Sequence, residues 1–133
     1  MVGDAMKKEF RVKKSQEIEM IMKKGSSKAN PYFIIYKYQN PNNKHFRIAI
    51  SVGKKVGIAV TRNQVKRRIR AITTEHKDQM NPNYDYFIIA RKGVEQLDYK
   101  DFKLKLEQIY RKMNIIPKQK EQNISTTKTS TKS

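Results

Sequence analysis

The sequence predicts an α+β domain, a compact α-β sandwich in which helices pack on a small mixed sheet in the order α-β-β-α-β-α. Three observations carry this. Apolar residues recur at helical spacing in three segments. Between them lie short runs rich in β-branched and aromatic residues. Clusters of Asn and Pro separate the runs. At 133 residues the chain suits one domain with a single modest core.

Residues 1–5 read as a flexible leader, and Met6 would make an equally natural start. The domain is expected over 6–116, followed by a disordered basic tail, 117–133, in which Lys, Gln, Ser and Thr dominate. Ser15 can cap a short helix over Gln16–Lys24, with Ile18, Ile21 and Met22 on one side and Gly25 as its stop. Tyr32–Tyr38 reads as a strand opened by Pro31, and Asn40-Pro41-Asn42-Asn43 as a turn. Phe46–Val52 is the return strand, alternating Phe46, Ile48 and Ile50 against Arg47, Ala49 and Ser51. A long helix follows from about Gly57 to Glu75, with Ile58, Val65, Ile69 and Ile72 on one stripe. Tyr84–Arg91 reads as a buried strand. Asp98 with Asp101 resembles a capping arrangement before a helix that buries Phe102, Leu106, Ile109, Tyr110 and Met113.

Charge narrows the function. Thirty Lys and Arg against twelve Asp and Glu give a net charge of +18. Between Glu19 and Glu75 there is no acid at all, while Lys and Arg occur thirteen times. Such a field repels itself unless a polyanion neutralises it. A membrane surface is the weaker partner, because no apolar run approaches the ~18 residues of a span. The absence of cysteine suits a reducing compartment, and a cytoplasmic location is expected.

On the long helix, Arg62, Lys66 and Arg70 fall at i, i+4 and i+8 and form one cationic ridge. Asn63 and Arg67 lie beside it, and Arg68 widens the patch. Like charges at this spacing cost an isolated helix about 0.2–0.5 kcal/mol per pair. With no nearby acid to relieve them, a merely solvated face explains them poorly. Asn63 can both donate and accept, which suits a phosphate–ribose junction, although a surface Asn in a first helical turn is also ordinary.

Lys54-Lys55-Val56-Gly57 followed by Ala59-Val60-Thr61-Arg62-Asn63-Gln64-Val65-Lys66-Arg67-Arg68-Ile69-Arg70 resembles the "RNR" signature of the protein subunit of bacterial ribonuclease P. Arg11-Val12-Lys13-Lys14-Ser15 before a short helix, Phe33-Ile34-Ile35-Tyr36, and Tyr86-Phe87-Ile88-Ile89-Ala90-Arg91 fall in the family's order, so the resemblance spans about residues 6 to 113. It implies a ribosomal-protein-like fold with a left-handed βαβ crossover. It implies as partners a large catalytic RNA and the 5′ leader of precursor tRNA. The RNA, with Mg²⁺ held by RNA and substrate, performs the hydrolysis that matures the tRNA 5′ end, so no catalytic residue is expected in this chain.

By the same resemblance, Lys54, Lys55, Arg62, Asn63, Lys66, Arg67, Arg68 and Arg70 are expected to contact the catalytic RNA. Arg11, Lys14, Ile18, Met22, Tyr32, Ile34 and Tyr36 are expected to line a leader-binding cleft. Alternation would set Tyr32, Ile34, Tyr36 and Tyr38 on one strand face, where bases could stack; an ordinary half-exposed tyrosine strand is the plainer reading. Three positions depart from the family pattern: Ile18 and Met22 stand where Phe is common, and Ile58 where Asn is frequent. Arg70-Ala71 also lacks the usual acid after the arginine.

Other chemistry is poorly supported. His45 and His76 are far apart in sequence and read as surface histidines rather than metal ligands. Gly53-Lys54-Lys55-Val56-Gly57 lacks the Gly-Lys-Ser/Thr ending of a P-loop. Asp78, Asp85, Asp98 and Asp101 are too scattered for a two-metal nuclease. The principal alternative is a ribosomal or ribosome-assembly RNA-binding protein; a helix-turn-helix DNA reader lacks its second helix.

Overall fold

A computed structural model describes residues 10–12 and 14–117. The expected leader at 1–5, Lys13 and the basic tail beyond Pro117 lie outside the described residues. In chain order the elements are α1 (Ser15–Lys24), β1 (Ser26–Ala29), β2 (Phe33–Gln39), β3 (Arg47–Val52), α2 (Ala59–Glu75), β4 (Tyr84–Ala90) and α3 (Tyr99–Lys112). The mixed sheet runs β1-β2-β4-β3. β2 pairs antiparallel with β1 and β4, while β3 and β4 are parallel neighbours joined through α2.

The order therefore contains one strand more than expected. Ser26–Ala29 has no β-branched or aromatic residue and is exposed along its length, so its strand state comes from pairing with β2 rather than from propensity. Ser15 does not cap α1 through its side chain; Lys14 holds the N-cap position, and Ser15 is the first helical residue. Gly25 ends the helix as expected, in extended backbone. Its glycine is required by proximity: a Cβ would lie 2.5 Å from the Ile21 carbonyl oxygen and 2.6 Å from that of Lys37.

Three layers result. On one sheet face α2 and α3 bury Val65, Ile69, Ile72, Phe102, Leu106, Ile109 and Tyr110 against Phe33, Ile35, Ile48, Tyr86 and Ile88. Truncating any one of these large aliphatic side chains to Ala would cost about 2–5 kcal/mol. On the other face α1 sets Ile21 and the half-buried Ile18 over Val12, Ala49 and Phe87, with Tyr36, Tyr38 and Ile89 packed around them. Both faces of β4 are thus covered, which explains the apolar run from Tyr86 to Ala90. Asp98 caps α3 as expected, its carboxylate accepting from the Asp101 amide at 2.8 Å.

Two polar devices lock the layers. In the α2–α3 contact the buried Thr73 hydroxyl donates to the Ile69 carbonyl (2.7 Å) and shares a 2.6 Å hydrogen bond with the Tyr110 hydroxyl. Burial pushes the Tyr110 hydroxyl well above its ordinary pKa, so it stays a neutral donor. On the α1 side Arg47 donates to both Asp85 carboxylate oxygens and to Glu17 of α1.

Candidate nucleic-acid interface

The stripe Val65, Ile69, Ile72 is buried, and this fixes the rotation of α2 so that the opposite side faces outward. On that side Asn63 and Arg67 are exposed, and Arg62, Lys66 and Arg70 are half-buried at the stem. Ile58 does not join the buried stripe: it occupies the N-cap position and is exposed. Lys54 and Lys55 sit exposed on a single 3₁₀ turn before the helix, anchored by buried Val56. The Arg62 Nε donates back to the Gly57 carbonyl at 3.1 Å, tying this turn to the helix start.

Arg68 takes a different direction. Its guanidinium donates to the Leu97 carbonyl (3.3 Å) and lies 5.6 Å and 5.5 Å from the ring centroids of Tyr99 and Phe102. It joins α2 to α3 rather than extending the ridge.

The residues expected in the cleft divide similarly. Arg11 forms a parallel bridge to Ile48, and the Val12 amide donates to the Ile48 carbonyl at 2.8 Å, so the chain before α1 runs along the outer edge of β3. Lys14 is exposed at the start of α1, and Met22 is exposed further along it. Ile34 and Tyr36 alternate onto the α1 side of β2, where Tyr36 stacks on its register partner Phe87 at 6.1 Å. Tyr32 does not share that face. It precedes β2 and packs against the α2–α3 core, because the strand begins one residue later, at Phe33.

The two groups meet at the β3 edge. Arg11 and Arg70 line a common depression of about 220 Å³ with Val12, Ile48, Ala49 and Ile50. The cationic side of α2 is therefore continuous, through Arg70, with Arg11 on the segment that leads into α1. No acid lines this depression.

Two features were not legible beforehand. A wide groove of about 830 Å³ at the β1 edge brings Lys28 together with Arg111 and Lys112, cations too distant in sequence to be paired on paper. His76 is also more than a surface histidine: its Nε2 lies 2.7 Å from Glu107, while Glu75 beside it pairs with Lys103 at 2.7 Å. Glu75, His76 and Glu107 could together offer ligand atoms to a metal. Lys103 and Arg111 already neutralise the two carboxylates, so the arrangement is accounted for by ion pairing.

Comparison with known proteins points to one family. A family model described as Ribonuclease P matches residues 6–114. The ribonuclease P protein component of Streptococcus pneumoniae (strain CGSP14) is 48% identical over 115 residues, spanning 82% of this chain and 93% of that protein. Among solved structures, the Staphylococcus aureus RNase P protein superposes with a TM-score of 0.77 at 36% identity, covering 80% of this chain and 97% of that one. The Thermotoga maritima RNase P protein gives a TM-score of 0.67 at 28% identity, covering 76% and 96%.

Proposed function

The chain belongs to the ribonuclease P protein family, and we propose that within that enzyme it holds the catalytic RNA on α2 and the precursor-tRNA leader beside α1. As a ribonuclease P protein component it is part of an endoribonuclease holoenzyme of tRNA processing. Lys54, Lys55, Arg62, Asn63, Lys66, Arg67 and Arg70 contact the catalytic RNA, with Arg68 at the margin. Arg11, Lys14, Ile18, Met22, Ile34 and Tyr36 receive the single-stranded 5′ leader, and Tyr32 supports the start of β2. The RNA-binding unit is the segment 6–116, and the holoenzyme works in the cytoplasm. No helix among the described residues is long and apolar enough to cross a membrane.

The observation that carries this reading is the acid-free cationic side of α2, fixed outward by its buried stripe and joined to Arg11 at the β3 edge. Mg²⁺ requires an octahedral set of oxygen ligands. The described residues of this face offer no carboxylate for one, so they do not fit the ion, and RNA and substrate phosphates are its holders. What the chain supplies is counter-charge and position: cations that lower the repulsion between two RNAs, and a cleft that holds one strand beside the other.

The test is cleavage of a precursor tRNA at low Mg²⁺ by a bacterial ribonuclease P RNA, with and without the protein. Cleavage at the mature 5′ end that appears only with both components is expected. Tight RNA binding without stimulation would instead favour a ribosome-assembly role.

A further inference from the structure

Ile58 and Val60 are the most exposed large apolar side chains among the described residues, at 72% and 75%, while Val56 two positions earlier is 4% exposed. The chain thus turns one aliphatic residue inward and the next two outward. Ile is among the poorest N-cap residues, yet Ile58 holds that position in α2 with no side-chain cap and no acid in the first turn. The local backbone is fixed by two contacts. Gly57 has φ +157°, and a Cβ there would press on Thr61 at 3.0 Å. The Arg62 Nε holds the Gly57 carbonyl at 3.1 Å.

We propose that Ile58 and Val60 form an apolar wedge that packs against exposed base or ribose faces of unpaired nucleotides in the partner RNA. This rests on the RNA-binding reading of α2 and adds to it a contact that charge cannot make. Lys54 and Lys55 precede the pair in the chain, and Arg62 and Asn63 follow it. Any partner seated on the wedge is therefore drawn in by cations on both sides, within a stretch that has no acid from Glu19 to Glu75. An A-form duplex hides its base faces in the stack, whereas loops and bulges present them. Phosphate contacts hold any polyanion; an aliphatic wedge rewards only one with an open base face beside its phosphates. A membrane fits less well. An interfacial helix needs an apolar face along its length, and the remaining apolar stripe of α2 is buried in the core.

The test is the double variant Ile58→Ser, Val60→Thr. Ser is a good N-cap and Thr is close to Val in shape, so the fold and its thermal midpoint are expected to hold or improve. Affinity for a bacterial ribonuclease P RNA transcript should fall by roughly tenfold for the apolar area removed. The slope of log K against log salt should not change, because no phosphate contact is lost. Binding to inorganic polyphosphate, which has no base, should match the wild type. Unchanged RNA affinity, a flatter slope, or an equal loss on polyphosphate would each overturn the wedge. So would a loss confined to phosphatidylserine vesicles, which would assign the pair to a lipid surface. Failure of the wild-type protein itself to bind the transcript would remove the RNA reading and the wedge together, and so differs from a failure of the wedge alone.

Discussion

Arg47 and Asp85 face each other as register partners across the parallel β3–β4 pair, joined by hydrogen bonds of 3.1 Å and 2.9 Å. Asn40 and Asn43 complete the carboxylate at 3.1 Å and 2.7 Å, and Arg47 reaches on to Glu17 at 3.2 Å. One buried carboxylate thereby ties α1, the turn after β2 and both parallel strands. Burial alone would push the Asp85 carboxyl up, but hydrogen bonds from Arg47, Asn43 and Asn40 outweigh it and hold the carboxyl below its ordinary 3.8.

A carboxyl with a depressed folded pKa stabilises the fold above its unfolded value and loses that contribution as pH falls through the folded one. Stability should therefore decline below about pH 4. Asp85→Asn removes the charge-assisted pair and leaves Arg47 with Glu17 as its carboxylate partner, so it should cost about 1–3 kcal/mol at pH 7. The variant should lose less than the wild type between pH 5 and pH 3. Urea unfolding at the three pH values checks both; parallel losses would show that other carboxyls govern the acid limb.

Thr73→Val should leave the buried Tyr110 hydroxyl without its partner and cost about 1–3 kcal/mol. Adding Tyr110→Phe should recover part of that loss, since both ends of the bond are then gone. A double-mutant cycle by thermal unfolding measures the coupling; strict additivity would mean that the 2.6 Å contact carries no energy.

On the cationic ridge, neutralising six to ten phosphates predicts a log K versus log salt slope of about −4 to −9 on structured RNA. Lys66→Ala or Arg67→Ala should flatten it by roughly one unit. Neither side chain is buried, so stability should stay within about 0.5 kcal/mol. An unchanged slope would take that residue out of the interface.

Replacing Tyr36 by Leu keeps an apolar body against Phe87 but removes the aromatic platform. Stacking of a base on such a ring is worth about 1–3 kcal/mol, so leader-bearing precursor should lose affinity by that much relative to leaderless tRNA. Equal losses on the two substrates would sink the cleft assignment.

Gly25→Ala places a methyl against two backbone carbonyls that cannot retreat without moving α1 or β2. A destabilisation of about 1–3 kcal/mol is expected, read as a fall in thermal midpoint. A neutral substitution would show that the α1–β2 junction is looser than its packing suggests.

The readable parts of this chain were those where periodicity and burial coincide. Val65, Ile69 and Ile72 announced the inner side of α2, and Phe102 to Tyr110 that of α3, because one face of each helix does all the packing. Ile58 extended the first series on paper but falls at the cap, before helical geometry begins. β1 was invisible because an exposed edge strand is held by its neighbour's hydrogen bonds, which Ser-Ser-Lys-Ala does not advertise. Tyr32 was misplaced because it lies one residue before β2, where strand alternation no longer sets the side on which a residue falls. The ridge of Arg62, Lys66 and Arg70 was legible from spacing alone. The departure of Arg68 toward Leu97, and the meeting of Arg11 with Arg70, depend on contacts between distant segments.

The β3–α2–β4 connection has a thermodynamic consequence for assembly. α2 is clamped at both ends by adjacent parallel strands, so its ordering entropy is already spent when the chain folds. Only the tips of long side chains remain to be immobilised on association, at about 0.5–1.5 kcal/mol each. α2 thus offers a preformed surface, and its own ordering should contribute little to the heat-capacity change of assembly.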